Sequence, residues 1–439
     1  MTSNRMSNRV FVLSSIKKPL MPCTPKRARK LLTAGKAAVY RMQPFTIILK
    51  FREDGELQPI EFKVDPGSKT TGIALVALFE RGRVLIWAAN LRHRGQAIRA
   101  GLESRRSLRR GRRGRKTGYR EARFNNRSRP SGWLPPSLES RVGNLRVWYG
   151  RLVALAPITS AEVETVRFDT QKMAAPAIAG IEYQQGELAG YECREYLLEK
   201  WGRRCAYCGK EQVPLQIEHI HPRSLGGSNR ISNLTLACEP CNRRKNNMPV
   251  AEFLAGKPDL LKRIQAQAKT PLRDAAAVNA TRYATGNVIK ALGLPTGFWS
   301  GGRTKFNRVS QNYPKDHFID AACVGETGAA VCISENFRPL FIRATGRGTR
   351  QVVRTDRYGF PRNAAGRCKR VHGFQTGDLV RLVQPSGKYA GVHVGRLAGV
   401  LADGRFDIRS REQKITSGWR NFTLMQKSDG YEYKIERAG

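Results

Sequence analysis

The sequence predicts a mixed α/β protein of several domains, with a small β-rich domain near its C-terminal end. The first observation is length, because 439 residues exceed what one hydrophobic core usually serves. The second is alternation of apolar and polar residues in separate segments, interrupted by basic segments of helical character. The third is a short strand–loop–strand–helix pattern between two C-x-x-C pairs, which indicates an inserted module held by a metal.

The charge balance points to nucleic acid as the partner. The chain has 78 Lys+Arg against 35 Asp+Glu, a formal net charge of +43. Such an excess calls for a polyanion to neutralise it. We expect no membrane partner, because no amphipathic stretch and no apolar run near 18 residues is present. The opening MTSNRMSNRVFVLSS has too short an apolar core for a signal peptide, and the cysteine usage predicts a reducing cytoplasm.

Four cysteines form the first predicted metal site, a structural zinc site. Each C-x-x-C turn places two thiolates on one side of a tight knuckle, as tetrahedral zinc requires. The alternatives are a disulfide framework or four buried thiols. The predicted ligands are Cys205, Cys208, Cys238 and Cys241. The other five cysteines are expected to be core or incidental thiols: Cys23, Cys193, Cys323, Cys332 and Cys368.

Between the cysteine pairs lies a set of side chains suited to phosphodiester hydrolysis. LQIEHIHP is typical of one strand, SNLTLAC of a second, and PCNRRKNN opens a helix. This order makes a ββα-metal site. There a histidine can act as general base on water, while a carboxylate and an Asn carbonyl hold magnesium on the scissile phosphate. The alternative is a zinc ribbon that only binds nucleic acid.

Three carboxylates from distant segments form a second candidate site. Asp65 ends a predicted strand before the turn DPGSKTTG, Glu164 lies in AEVETVRFDTQKM, and Asp320 lies in DHFIDAACVGET. If they converge on two magnesium ions, they suit in-line phosphodiester hydrolysis. Glu162 and Asp169 remain alternatives to Glu164.

The region between the cysteines resembles the HNH nuclease family through Glu218-His219, Asn233 and Asn242. The resemblance implies that His219 is the general base, that Glu218 and Asn242 bind one magnesium ion, and that Asn233 supports the site. The family often has Asp at the position of Glu218, a departure that bears on the coordination geometry. His221 is either a second ligand or makes a structural hydrogen bond.

The three-carboxylate set resembles the RuvC-like nucleases, which have an RNase H-like core. Asp65, Glu164 and Asp320 fall at the first, second and third motif positions, and His317 falls at the assisting position. The HNH segment lies between the second and third motifs. This split arrangement is that of the type II CRISPR effector nucleases and their relatives, and it implies two magnesium ions at the RuvC-like centre.

An arginine-rich stretch, LRHRGQAIRAGLESRRSLRRGRRGRKTGYREARFNNRSR, separates the first two motifs. We expect a helix lying along nucleic acid, and the alternative is a solvated or disordered charge run. By resemblance it corresponds to the bridge helix, which holds guide RNA. The residues expected to bind RNA are Arg105, Arg106, Arg109, Arg110, Arg112, Arg113 and Arg115.

The N-terminal tetrapeptide PLMP makes the resemblance more specific, to the IscB proteins. That family implies an RNA-guided endonuclease that makes double-strand breaks beside a short target-adjacent motif. HNH would cut the guide-paired strand and RuvC the displaced strand. The family further implies a transposon-associated OMEGA system with a structured omega RNA, a double-stranded DNA target, and a monomer with its RNA at the prokaryotic nucleoid. Two alternatives stay open, a guide-independent homing or junction-resolving endonuclease and a binding protein with structural carboxylates.

The predicted domains follow these motifs along the chain. In the C-terminal part, β-favouring residues alternate with Gly, Asp-Gly and Pro-Ser-Gly turns, which predicts a small antiparallel barrel. By resemblance this part binds guide RNA and reads the target-adjacent motif. The predicted bounds are a PLMP module (1–57), RuvC segment I (58–89), bridge helix (90–130), RuvC segment II (131–182), HNH domain (183–256), RuvC segment III (257–340) and β-rich domain (341–439).

Overall fold

The computed structural model is a mixed α/β protein that divides into two compact units. The first comprises Met1–Glu164, Ala284–Trp299 and Arg303–Gly439, and the second Thr165–Tyr283 and Ser300–Gly302. Within the described part of the chain, no helix has the length and apolar character needed to cross a membrane. The described residues are 8–113, 130, 132–165, 189–269, 273–346, 356–358, 360–362, 370–410 and 413–435.

The strands and helices are numbered here in chain order. The strands are β1 Val10–Leu13, β2 Pro19–Cys23, β3 Ala37–Arg41, β4 Thr46–Leu49, β5 Ile60–Asp65, β6 Thr70–Phe79, β7 Gly82–Arg92, β8 Ile158–Glu164, β9 Leu215–His219, β10 Leu234–Cys238, β11 Thr296–Trp299, β12 Val331–Cys332, β13 Leu340–Ala344, β14 Leu379–Gln384, β15 Gly391–Val400, β16 Arg405–Ser410, β17 Gln413–Gly418, β18 Phe422–Gln426 and β19 Tyr431–Ile435. The helices are α1 Pro25–Thr33, α2 Gly95–Arg113, α3 Pro136–Val153, α4 Ala189–Lys200, α5 Glu239–Lys245, α6 Val250–Phe253, α7 Pro258–Ala268, α8 Arg273–Lys290, α9 Gly301–Ser310 and α10 His317–Ala322.

The first unit begins with a small sheet of order β2-β1-β4-β3, on which α1 packs. The PLMP tetrapeptide forms β2, an edge strand. Proline has no backbone N–H to donate, so an edge position is where a strand tolerates two prolines. Helix α1 begins after Thr24, whose hydroxyl accepts a hydrogen bond from the backbone N–H of Arg27 at 3.3 Å.

The central sheet has the order β11-β8-β5-β6-β7-β13-β19, and β12 also pairs with β7. Strands β5, β6 and β7 are antiparallel neighbours, whereas β8 is parallel to β5 and β11 is parallel to β8. In the register of β5 and β8, Val64 lies opposite Val163. The next residues, Asp65 and Glu164, therefore end adjacent parallel strands at the same edge of the sheet.

The two faces of the central sheet are covered by different helices. Ile60 and Phe62 of β5 belong to the same buried cluster as Trp148 and Tyr149 of α3. Because side chains alternate along a strand, the next residues of β5 face the other side, where Phe318 of α10 lies in a second cluster. The sheet thus has an apolar face under α3, while its α10 face also carries polar side chains from β5.

The second unit is built on the antiparallel pair β9 and β10, followed by α5. Leu234 lies opposite His219 and Thr235 opposite Glu218. Leu236 and Leu197 are fully buried in the core of this unit. This hairpin and helix are the ββα arrangement that the sequence predicts.

The C-terminal strands form a five-stranded antiparallel sheet of order β17-β16-β15-β14-β18. Its core contains Val380, Leu382, Phe406 and Ile408. The small β-rich domain that the sequence predicts is thus a five-stranded antiparallel sheet, in which the pairings among the described residues do not join β17 to β18. The chain reaches β18 through a short 3₁₀ turn and pairs it with β14 instead. Strand β19 then returns to the central sheet and pairs with β13.

Candidate active sites

The four predicted zinc ligands come together within the second unit. The Sγ atoms of Cys205, Cys208, Cys238 and Cys241 all lie within 4.8 Å of one another, and the Cys208 and Cys238 sulfurs are 3.7 Å apart. A zinc–sulfur distance of about 2.3 Å gives a tetrahedral edge of about 3.8 Å. A disulfide would need about 2.05 Å. The spacing therefore fits zinc, and all four thiols are free.

The backbone of the first knuckle favours a thiolate. Burial raises the pKa of the Cys205 thiol, but hydrogen bonds from the backbone N–H groups of Cys238, Cys208 and Tyr207 outweigh it and lower the pKa to about 7. The turn closes with the N–H of Gly209 donating to the Cys205 carbonyl at 2.9 Å, and Gly209 has φ +75°. Zinc binds the thiolate form, so the lowered pKa suits Cys205 to the ion, whereas burial raises the pKa of Cys208 in the same turn.

Replacing Cys241 with serine is expected to abolish zinc binding and to unfold the second unit. The physical reason is that a structural zinc ion contributes folding free energy directly, on the order of 10 kcal/mol in small domains. Zinc content by elemental analysis and thermal unfolding would measure the effect. Cys332→Ser is the matched control, because Cys332 is an exposed free thiol in the first unit. Stoichiometric zinc in Cys241→Ser would contradict the assignment.

Strand β9 and helix α5 carry the predicted HNH side chains. Glu218 forms an ion pair of 2.6 Å with Lys245, whose side chain is fully buried. The amide nitrogen of Asn242 donates to Gln216 Oε1 at 2.6 Å, which directs the Asn242 oxygen away from Gln216. The carboxylate and the amide oxygen are both hard donors of the kind magnesium prefers.

The tautomer of His219 is set by a residue that the sequence reasoning missed. His219 Nε2 lies 2.8 Å from Asn229 Oδ1. The amide oxygen can only accept, so Nε2 carries the proton and Nδ1 retains its lone pair. Nδ1 is therefore the nitrogen that can take a proton from water. The one signal in the sequence is that Asn229 follows the two glycines of the tight turn GGSN.

Asn233 closes the loop that follows His219. Its amide nitrogen donates to the carbonyls of His221 at 2.9 Å and Ser228 at 2.8 Å, and its oxygen accepts from the His221 N–H at 2.8 Å. His221 Nε2 donates to the Leu225 carbonyl at 2.9 Å. This contact is the structural hydrogen bond that was the alternative to metal ligation for this histidine. A Cβ on Gly227 would lie 1.9 Å from the His221 carbonyl oxygen, so the loop requires glycine there.

The second candidate site lies at the edge of the central sheet. Glu164 and Asp320 are 8% and 3% exposed, and they belong to β8 and α10. The hydroxyl of Thr304 on α9 hydrogen-bonds Glu164. His317 Nδ1 is 3.9 Å from the Asp65 carboxylate. The structure thus brings the predicted carboxylates and His317 to one place.

The carboxylates of this site repel one another. Burial raises the pKa of Glu164 well above its usual value, and the charges of Asp65 and Asp320 raise it further. Burial also raises the pKa of Asp320, against the opposing charge of Lys315. Asp320 pairs with Arg308 Nε at 2.8 Å and with Lys315 Nζ. A buried set of mutually repelling carboxylates is the donor set that divalent cations stabilise, so these residues fit magnesium.

The two alternatives to Glu164 as the second carboxylate are Glu162 and Asp169. Glu162 lies two residues earlier on the same face of β8, where it accepts a hydrogen bond from Trp299 Nε1. Burial, followed by the charges of Glu61 and Glu326, raises the Glu162 pKa. Asp169 lies outside the described residues. The geometry favours Glu164 as the partner of Asp65.

A glycine on β6 permits α10 to approach the sheet. A Cβ on Gly72 would lie 1.8 Å from the His317 carbonyl oxygen and 3.1 Å from the Phe318 nitrogen. Gly72→Ala is therefore expected to push α10 outward and destabilise the protein by about 1–3 kcal/mol, the usual cost of overpacking. Chemical denaturation measures the effect.

The control for this prediction is Gly143→Ala on α3, where a Cβ meets nothing within 4 Å. Alanine has a higher helix propensity than glycine, so this variant should be as stable as the parent or more so. Equal stability of Gly72→Ala and the parent would contradict the packing argument.

Within the described part of the arginine-rich stretch, Gly95–Arg113 forms helix α2. Of the predicted RNA-binding residues, Arg105, Arg106, Arg109 and Arg110 are exposed on it. The helix continues through Arg112 and Arg113, and Arg115 lies outside the described residues. Glu103 is the one acidic residue of α2, and it pairs with Arg99 at 3.2 Å. The helix therefore presents a strongly cationic surface.

Comparison with known proteins gives two family matches. The profile of the RRXRR protein family matches residues 10–186, and that of the HNH endonuclease family matches residues 205–248. The second segment contains the four cysteines and the whole β9–β10–α5 site. An HNH endonuclease domain supports nuclease activity. No curated protein matches the chain.

Several solved structures are similar over part of the chain. Streptococcus thermophilus Cas9 in complex with the GGAA PAM is 13% identical, over 60% of this chain and 32% of that chain, with a TM-score of 0.22. The type II-C Cas9 from Actinomyces naeslundii is 18% identical, over 49% and 33%, with a TM-score of 0.15. This chain thus spans about a third of the length of these structures.

Proposed function

We propose that this protein is an RNA-guided DNA endonuclease of the IscB kind, with two metal-dependent active sites. The HNH site would cut the guide-paired strand, and the RuvC-like site the displaced strand. The observation that carries the proposal is the arrangement of Glu218, His219 and Asn242 on a ββα element beside a four-cysteine cluster. That element lies inside the segment matching the HNH endonuclease family.

In the HNH site, His219 acts as general base. Its Nδ1 removes a proton from the attacking water, while Asn229 holds the ring by the opposite nitrogen. Glu218 and Asn242 would hold one magnesium ion, which when bound supplies electrostatic stabilisation of the scissile phosphate. Lys245 holds the Glu218 carboxylate in place through its buried ion pair. The cysteine cluster would hold structural zinc.

In the RuvC-like site, Asp65, Glu164 and Asp320 would hold two magnesium ions, and His317 assists beside Asp65. Two features support this part of the proposal. The strand order β11-β8-β5-β6-β7, with three antiparallel strands and two parallel ones, is that of an RNase H-like core. The convergence of three buried or half-buried acids at one sheet edge suits in-line hydrolysis.

Guidance by RNA is supported by charge. The net charge of +43 and the exposed arginines of α2 suit a structured polyanion bound along its backbone. We propose that the guide is an omega RNA of a transposon-associated OMEGA system, bound to one protein monomer. The target is double-stranded DNA beside a short adjacent motif, in the cytoplasm of a prokaryote at its nucleoid.

The test of guidance is to purify the protein from a host that carries its own flanking DNA and to sequence the RNA that copurifies. The expected result is one discrete, structured species with a variable end that specifies which DNA is cut. Heterogeneous host RNA that salt removes would overturn guidance, and a homing or junction-resolving endonuclease would then be the better description. That outcome would leave the two metal sites to be tested separately.

A further inference from the structure

A buried lysine lies directly beneath the carboxylate centre. Lys63 is on β5, two residues before Asp65 and on the same face of the strand. Its side chain is fully buried, a position that lysine rarely occupies without a partner. No role in hydrolysis follows from the predicted motifs for this residue. Its contacts therefore call for an explanation.

The contacts of Lys63 lead to the end of helix α10. Its Nζ donates to the Val324 carbonyl at 2.7 Å, just beyond the last residue of α10, and to the hydroxyl of Thr327. The Thr327 hydroxyl in turn donates to Glu61, whose carboxylate is 3.4 Å from Lys63 Nζ. Val324 lies two residues beyond Ala322, the last residue of α10, so these contacts tie β5 to the segment that directly follows the helix.

Helix α10 is thereby held at both of its ends. At its N-terminal end, Asn90 on β7 donates to Asp316 at 2.8 Å, and the His317 carbonyl packs against Gly72. At its C-terminal end, Lys63 binds Val324. Asp320 lies between these two anchors on a helix of only six residues. The separation of Asp320 from Asp65 is therefore set by contacts at each end of a short rigid element.

We infer that Lys63 is a positioning residue for the carboxylate centre, which ties the C-terminal end of α10 to β5 so that Asp320 meets Asp65. The inference rests on the proposed function of that centre. Lys63 acts through Val324 and Thr327, to which its Nζ donates. A displacement of about 1 Å in a catalytic group can cost about a hundredfold in rate, so loss of the anchor has a measurable effect.

The test uses the full chain in complex with its own RNA and a DNA target labelled on both strands. Lys63→Met keeps the length of the side chain and removes its donors, whereas Thr327→Val removes one link and keeps the Lys63–Glu61 pair. Single-turnover rates for each strand are measured across a series of magnesium concentrations. Lys50→Met is the matched control, because Lys50 is exposed and lies just after β4, outside both candidate centres.

Lys63→Met is expected to slow cleavage of the displaced strand by about tenfold to a hundredfold and to raise the magnesium concentration for half-maximal rate. Thr327→Val should shift both quantities in the same direction by less. The guide-paired strand should be cut within about twofold of the parent rate in both variants. Cleavage of the guide-paired strand is therefore an internal control for folding and RNA loading in the same reaction.

Two outcomes would overturn the inference. Displaced-strand cleavage at the parent rate in both variants would remove any role for the anchor. Equal losses on both strands in both variants would show a general structural role. Asp65→Asn separates this from the proposed function: if it leaves displaced-strand cleavage intact, the centre itself is wrongly assigned. If Asp65→Asn abolishes that cleavage and Lys63→Met does not, only the role of Lys63 fails.

Discussion

Under the proposed function, we expect His219→Ala to block cleavage of the guide-paired strand while the displaced strand is still nicked. General base catalysis contributes on the order of 10²–10⁴ in rate. We therefore expect a loss of about a thousandfold on one strand. The product changes from a linear duplex to a nicked circle when a supercoiled plasmid is the substrate.

The comparison for this variant is His221→Ala, two residues further along the chain. The His221 ring bonds to the Leu225 carbonyl, so its loss should loosen the loop and slow the same strand by a much smaller factor. Equal losses in the two variants would point to loop structure as the common cause. Cleavage of both strands by His219→Ala would remove the HNH assignment.

Under the proposed function, Asp65→Asn is expected to affect the other strand: it should slow nicking of the displaced strand and spare the guide-paired strand. The substitution keeps the size of the side chain and removes a negative charge. That charge contributes to raising the pKa values of both Glu164 and Asp320. Loss of a metal-binding carboxylate costs several kcal/mol of transition-state stabilisation, and about 4 kcal/mol corresponds to about a thousandfold in rate. Displaced-strand nicking should fall by that factor while the guide-paired strand is cut normally.

Asp54→Asn is the matched control for this substitution. Asp54 is exposed and pairs with Lys18 at 3.1 Å, outside both candidate centres. It should leave both strand rates unchanged. The assignment of the carboxylate centre would be refuted by an Asp65→Asn protein that nicks the displaced strand at the parent rate over a range of magnesium concentrations.

The four-cysteine cluster and the ββα element were predictable because their evidence is local. Cys205 and Cys208 lie within one turn, and so do Cys238 and Cys241, so the spacing alone dictates the geometry of each knuckle. The strand that carries His219 and the helix that carries Asn242 follow from short apolar patterns around them. The structure places these elements as the pattern indicates.

Other parts of the site could not be predicted from such patterns. Asn229 contacts His219 only because the loop between them folds back. A hydrogen bond from the Asn233 amide nitrogen to the Ser228 carbonyl holds it there. Lys245 reads as one of several basic residues in NRRKNN, yet it is fully buried against Glu218. A side chain in a basic run is usually solvated, and burial is a property of the folded chain.

The linear sequence by itself determined which side chains were candidates for each site: thiolates in paired turns, a histidine beside a carboxylate, and three acids in separate motifs. It did so because ligand type and short spacing are local. Only the tertiary structure decided that Asp65 and Glu164 end adjacent strands and that Asp320 is anchored over them by Gly72 and Lys63. These contacts join residues up to 261 positions apart, and strand register and helix packing alone bring them together.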